Sequence, residues 1–267
     1  MNKFYQNKVV WITGASSGIG EALVQELAQT GAKIVLSARR KEELERVAKE
    51  NKLTSDNSLI LPLDLENYKD FDKDVKKVIQ KFGTIDVLIG NGGISQRSLA
   101  HETGMVIYES LMKVNYFGNI ALTLAVLPWM REKKTGWIST ISSVAGKFGV
   151  PLRTGYSATK SALTGFYEAL RAENRNENIK VTLIYPGFIR TQISKNALTK
   201  ENKKQGVTDE AIEKGLDPNL CAREILEGIA SEKLEVVIAG LKEKLGIFLH
   251  KHFPKFFAGF IAKTKVT

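Results

Sequence analysis

Short apolar runs alternate with longer amphipathic stretches along most of the chain. The runs at 8–13, 33–37, 59–61, 85–89, 137–141, 179–185 and 235–239 are rich in Val, Ile and Leu and read as β-strands buried on both faces. Between them apolar residues recur every three or four positions. This predicts helices from the first glycine loop to about residue 30, over 41–51, about 68–82, about 104–130, around Tyr156 to about 174, and over 218–231. The alternation predicts an α/β fold: a doubly wound (Rossmann) parallel seven-stranded sheet with helices on both faces, as a single domain over 1–240.

Two stretches break the rhythm. The segment 188–217 is polar, rich in lysine and weakly periodic, which predicts a mobile loop or short helices over a substrate site. The tail at 241–267 is basic and amphipathic, with Phe248, Phe253, Phe256, Phe257 and Phe260 interrupted by His250, Lys251, His252 and Lys255. Over 245–262 this pattern fits an interfacial segment whose aromatics enter lipid headgroups. It also fits a tail packed over the pocket or on a partner subunit, which is the arrangement expected. Pro254 breaks a continuous helix in either case.

Composition narrows the classes. The 267 residues are 43% hydrophobic and 25% charged, values of a soluble globular protein. Cys221 is the only cysteine, so no intrachain disulfide is possible. The net charge of +10 is scattered rather than striped, and nucleic acid is not expected as a partner. His101, His250 and His252 lack metal-ligand spacing, so no metal is expected. No uninterrupted apolar run reaches about eighteen residues, and the first strand follows Met1 too soon for a cleaved signal peptide. A cytoplasmic location is expected, with contact at a membrane surface left open by the tail.

The candidate chemistry centres on Tyr156 and Lys160, four residues apart and so on one helical face. A phenol with an ordinary pKa near ~10 exchanges protons poorly at neutral pH unless a neighbouring cation stabilises its phenolate. Ser143, just past a strand, offers a hydroxyl to a substrate oxygen. The three suit carbonyl/alcohol interconversion, where a proton moves at oxygen while a hydride moves at carbon. Upstream, Gly14, Ser16, Ser17, Gly18, Ile19 and Gly20 form a glycine loop between a strand and a helix, the place of a phosphate cradle. The second strand ends in Ala38-Arg39-Arg40. An acidic residue there pairs with a free ribose hydroxyl, whereas guanidinium groups suit a 2′-phosphate, so the sequence favours NADP over NAD.

Together, Thr13-Gly14-x-x-x-Gly18-x-Gly20, Asn115, Ser143, Tyr156-x-x-x-Lys160 and Pro186-Gly187-x-x-x-Thr191 resemble the short-chain dehydrogenase/reductase family over residues 8 to about 240. The resemblance implies that Tyr156 is the general acid or base, Ser143 holds the substrate oxygen, and Lys160 lowers the Tyr156 pKa and binds the nicotinamide ribose. It implies an ordered water at Asn115, and cofactor contacts from Asp64, Asn91, Pro186, Gly187 and Thr191, with Arg39 as the NADP-selecting cation. It also implies a homodimer or homotetramer. The family's Asn-Asn-Ala-Gly turn is here Gly90-Asn91-Gly92-Gly93, and its missing first Asn puts some sheet-stabilising hydrogen bonds in doubt. Gly146, Lys147 and Pro151, with the stretch 92–98, are similar to 11-beta-hydroxysteroid dehydrogenase-like, membrane-associated members. The function expected is an NADP(H)-dependent oxidoreductase, with a non-catalytic NADP-binding scaffold or redox sensor as the alternative. Phe148, Val150, Leu152 and Phe188 hint at a small hydrophobic carbonyl or alcohol substrate.

Overall fold

The computed structural model of the chain describes residues 2–264. Helix α1 (Asn2–Tyr5) leads into β1 (Val9–Thr13), α2 (Gly18–Leu27), β2 (Lys33–Ser37), α3 (Lys41–Glu50), β3 (Ser58–Ile60), α4 (Asp72–Phe82) and β4 (Val87–Gly90). Next, α5 (Met105–Leu111), a wider π-type turn (Met112–Phe117) and α6 (Gly118–Glu132) run on as one stretch, followed by β5 (Gly136–Ile141), α7 (Thr154–Glu173) and β6 (Ile179–Pro186). The last elements are α8 (Glu210–Glu213), α9 (Pro218–Ala230), β7 (Glu235–Ile238), α10 (Leu241–His252) and α11 (Pro254–Lys263).

The seven strands form one parallel sheet in the order β3-β2-β1-β4-β5-β6-β7, as the pattern predicts. Every residue of β1 and β4 is buried, the reason these runs are continuously apolar. On one face Leu23, Leu27, Leu44, Val47, Ile225 and Ile229 of α2, α3 and α9 cover Ile12, Ile34 and Ile89. On the other, Val75, Val78, Leu122, Val126, Leu163 and Tyr167 of α4, α6 and α7 cover Trp11, Leu88 and Ile138. The strand order reverses between β1 and β4, which opens a crevice at their carboxyl ends.

Several boundaries differ from the pattern. Helix α4 starts at Asp72, not near residue 68, because Asp72 and Asp74 place negative charge at its positive N-terminus and Phe71 is buried just before it. By length and mean hydropathy the stretch Met105–Glu132 is sufficient to cross a membrane, although Asn115 and scattered charges leave no unbroken apolar run. In the fold it is a core element: Leu111, Leu122 and Val126 are sealed against the sheet and α7, while Met105, Val106 and Leu124 face outward. Cys221, on the buried side of α9, is fully enclosed, and burial pushes its thiol up to about 12.

The 188–217 segment is pinned rather than loose. Leu198 bridges to Gln96 and Lys204, Ile189 bridges to Leu216, and α8 caps the end. The tail forms a helical hairpin that turns at Phe253-Pro254. Phe257 and Gly246 of the hairpin pack on Phe148, so the tail lies against the α/β domain.

Candidate active site

The crevice begins at the glycine loop. Gly14 and Gly18 sit at φ +65° and +59°, where a side chain is strained. A Cβ on Gly20 would collide with the Gly14 carbonyl oxygen, so the third glycine lets the helix start fold back onto the loop. Ser17 caps α2 in extended backbone without a side-chain hydrogen bond, and the amides at the helix start face a groove lined by Ser16, Ser17, Gly18, Arg40 and Thr191. This closely built cradle fits a pyrophosphate. Arg39 and Arg40 are exposed at the end of β2, with Arg40 on the groove. Asp64 is exposed, its carboxylate accepting from the Glu66 amide.

Thr13 and Asn91 tie the loop to β4. The Thr13 hydroxyl accepts from the Asn91 and Gly92 amides at 3.0 and 2.9 Å. The Asn91 carboxamide donates to the Thr13 and Gly14 carbonyls at 2.9 and 3.3 Å, which fixes the crevice wall. Asn91 also borders the adjoining pocket with Ile19 and Thr191.

The missing Asn at position 90 has a substitute that the sequence reading did not identify. The Nδ2 of buried Asn119 donates to the Gly92 carbonyl at 3.1 Å and to the Asn115 carbonyl at 2.9 Å. Its Oδ1 lies where a Cβ on Gly90 would stand, 2.6 Å from that position. A glycine at the strand end and an asparagine four residues after Asn115 are thus complementary. Their only sequence signal is the departure from the family turn itself.

The four candidate catalytic side chains converge below this turn. Asn115 lies in the π-type turn, fully buried, and it has the buried partners its low helix propensity calls for. Its Oδ1 accepts from the Ile94 amide at 2.8 Å, and its Nδ2 donates to the Ile94 carbonyl at 2.9 Å and the Thr159 hydroxyl at 3.0 Å. Tyr156 and Lys160 share the buried face of α7, with Lys160 Nζ 5.7 Å from the phenol ring centre. Lys160 Nζ donates to the Ile141 carbonyl at 2.7 Å, and the Lys160 carbonyl accepts from Ser142. The Ser143 hydroxyl accepts from the Ala145 amide at 3.1 Å beside the Pro186 carbonyl. Burial raises the Tyr156 pKa, opposed by the Ser143 hydroxyl and by the Arg153 and Arg97 charges. Burial pulls Lys160 down to about 8.

Ser143, Tyr156 and Lys160 line one pocket of ≈ 110 Å³ with Pro186, Gly187 and Phe188. Of the apolar residues expected at the substrate, Phe188 borders it. Val150 instead packs with Ala145 and Tyr156, and Phe148 faces the tail. Arg97 and Arg153 line one side of the pocket, its roof, and with Asp209 form an ion cluster unforeseen in the sequence. Asp209 Oδ2 accepts from Arg97 Nη2 at 2.6 Å and from Arg153 Nη2 at 3.3 Å, and Oδ1 accepts from Gln205. Burial raises the Asp209 pKa, but the hydrogen bonds from Arg97 and Gln205 and the two arginine charges outweigh it and hold the carboxyl below its usual value. Among the described residues no group of His, Cys, Asp and Glu is placed to hold a metal ion.

Comparison with known proteins finds relatives of the same family and fold. A family model described as short chain dehydrogenase matches residues 8–202. An Anopheles gambiae protein named dehydrogenase/reductase SDR family protein 7-like is 45% identical over 252 residues, 92% of this chain and 80% of that protein. Human dehydrogenase/reductase SDR family member 7 is 41% identical over 251 residues, 92% of this chain and 74% of that protein. Among solved structures, a short-chain dehydrogenase from Streptomyces avermitilis superposes with TM-score 0.80 at 29% identity, covering 96% of each chain. A Burkholderia phymatum short chain dehydrogenase/reductase in complex with NAD gives 0.84 at 21%, covering 94% of this chain and 95% of that one.

Proposed function

The chain belongs to the short-chain dehydrogenase family, an oxidoreductase family that binds nicotinamide cofactors, and from that premise we propose that it is an NADP(H)-dependent reductase of ketones or aldehydes with Tyr156 as general acid. The observation that carries the reading is the convergence of Ser143, Tyr156 and Lys160 on one pocket beside a glycine cradle, with Asn115 next to Lys160 behind Gly93 of the pocket wall. The 14–20 loop, Asp64, Asn91, Pro186, Gly187 and Thr191 would hold the cofactor, which when bound would supply or take the hydride. The residues of the chain manage the proton. Ser143 donates a hydrogen bond to the carbonyl oxygen, and Tyr156, kept protonated by burial, gives that oxygen its proton. The Lys160 charge stabilises the phenolate left behind. Asn115 holds Ile94 and Thr159 in place beneath, and its turn is where the family resemblance would put an ordered water in the proton path.

Arg39 and Arg40 support NADP over NAD, since two exposed guanidinium groups at the end of β2 suit a 2′-phosphate and no carboxylate stands in their place. Use of NADP in turn favours the reductive direction. The exposed Met105, Val106 and Leu124 support assembly into a homodimer or homotetramer through the 105–132 stretch and α7.

The test is NADPH and NADH consumption against aldehydes, ketones, quinones and oxosteroids, with Tyr156→Phe as control. Turnover with NADPH that the substitution abolishes is the expected result. Tight NADPH binding without turnover on any compound would instead make the chain a sensor or scaffold.

A further inference from the structure

The outer surface of the tail hairpin has a use that the pocket does not account for. Gly246 and Phe257 are buried against Phe148, with the Phe257 ring centre 4.8 Å away; the exposed His250 ring flanks Phe148 at 5.8 Å, and Glu243 accepts from the Phe188 amide at 3.4 Å. That single inward layer uses up the hairpin's buried contacts. On the other side Leu241, Leu245, Phe248, Phe253, Phe256 and Phe260 are 48–87% exposed, the densest group of uncovered large apolar side chains in the described residues. Lys242, Lys244, Lys251, Lys255 and Lys263 are also exposed, and none makes a salt bridge among the described residues. Glu243, the only carboxylate over 241–264, is engaged inward.

We propose that α10 and α11 form an interfacial docking surface for an anionic lipid bilayer, which brings the pocket rim at Phe188 to the membrane. Apolar side chains enter the acyl boundary while the lysines meet lipid phosphates and carboxylates. The helices have 12 and 10 residues and are separated by Pro254. At 1.5 Å per residue, neither reaches across a hydrocarbon core of about 30 Å, so the hairpin lies in the membrane plane. A second copy of the chain fits less well. A two-fold interface would set this lysine cluster against its own copy, and like charges in an apolar contact repel. A lipid surface also suits the position of the hairpin: it touches Phe148 and Phe188, so a carbonyl compound dissolved in the bilayer reaches the pocket by a short path.

The docking element stands apart from the catalytic reading; the lipid-borne substrate rests on it. Flotation of the full chain with vesicles of phosphatidylcholine alone, and with one-fifth phosphatidylserine, tests the docking. At least tenfold more protein should float with the anionic vesicles. Leu245→Ser/Phe256→Ser/Phe260→Ser and, separately, Lys251→Gln/Lys255→Gln should each remove most of that difference, with NADPH fluorescence and the melting temperature reporting the fold. Failure of the parent chain to float, or flotation equal in parent and variants, overturns the proposal. So does a hairpin-dependent dimer that forms without lipid and does not float. A second arm compares reduction of a long-chain aldehyde in vesicles with that of a water-soluble one. The serine variant should lose at least fivefold on the first and nothing on the second. If no carbonyl compound is reduced but flotation holds, the catalytic reading fails and the docking element stands.

Discussion

The two ends of the crevice are built on opposite terms. At the Tyr156 end almost every polar group is buried and answered: Asn115 by Ile94 and Thr159, Lys160 by Ile141, Asp209 by two arginines and Gln205. At the β2 end Arg39, Arg40 and Asp64 stand in solvent, where a side chain costs little to hold and little to change. Under the proposed function, the difference separates where chemistry and selectivity would be kept. Proton transfer needs groups preorganised in a dry site, whereas a choice between two cofactors needs only a charge within reach of one phosphate.

The largest effect to expect at the buried end is on Tyr156. Tyr156→Phe should lower the carbonyl reduction rate by roughly a hundredfold to ten-thousandfold, with cofactor binding kept. An equal loss of NADPH affinity, read by titration, would mean that the phenol positions the cofactor rather than the proton. Next comes the roof. Asp209→Ala leaves Arg97 and Arg153 buried against each other, and should destabilise the fold by about 3–5 kcal/mol in urea unfolding. A change below 1 kcal/mol would move the roof into the solvated class. The same carboxylate gives a pH dependence of known sign. Its folded-state pKa is depressed, so its contribution is present above the unfolded value and fades as the pH falls through the folded one.

Smaller effects sharpen the contrast. Asn119→Ala withdraws a donor from the Gly92 and Asn115 carbonyls and should cost about 1–3 kcal/mol. Gly90→Ala drives a methyl into Asn119 Oδ1 and should cost a similar amount. The double variant should be less destabilised than the sum, because the clash is gone; strict additivity would deny the pairing. Lys160, pulled down to about 8, is charged below that pH and neutral above it. Reduction kcat/KM should therefore fall through pH about 8, and Lys160→Arg should move that limb upward. Least costly is Arg39→Asp, which should shift relative NADPH/NADH affinity by about tenfold toward NADH without altering the melting temperature. Unchanged relative affinity would leave Arg40 as the selecting cation.

The parts legible in the sequence were those with local signals. Apolar runs gave the strands, and Tyr156 and Lys160 are readable because one helical turn brings them together. Asn115 falls within the stretch predicted as one helix over about 104–130, and the π-type turn that houses it leaves no mark in a periodicity of 3.6. The 188–217 segment looked loose because it is held by isolated bridges and by an ion pair to Arg97, far away in sequence, none of which imposes a repeat. Asn119 was overlooked for a related reason: its complement, Gly90, is recognised by what it lacks. Long-range pairing is where a single sequence is mute, and the roof and the β4 turn both depend on it.

Cys221 carries a practical consequence for work on the hairpin. Its sulfur is sealed between α9 and the core, and burial, which pushes its pKa up to about 12, keeps it a thiol at neutral pH. Toward a maleimide at neutral pH the natural chain therefore behaves as if it had no cysteine. A single Phe256→Cys change would place one reactive sulfur on the outer face of α11, so a polarity-sensitive dye attached there would report water or lipid from that position alone.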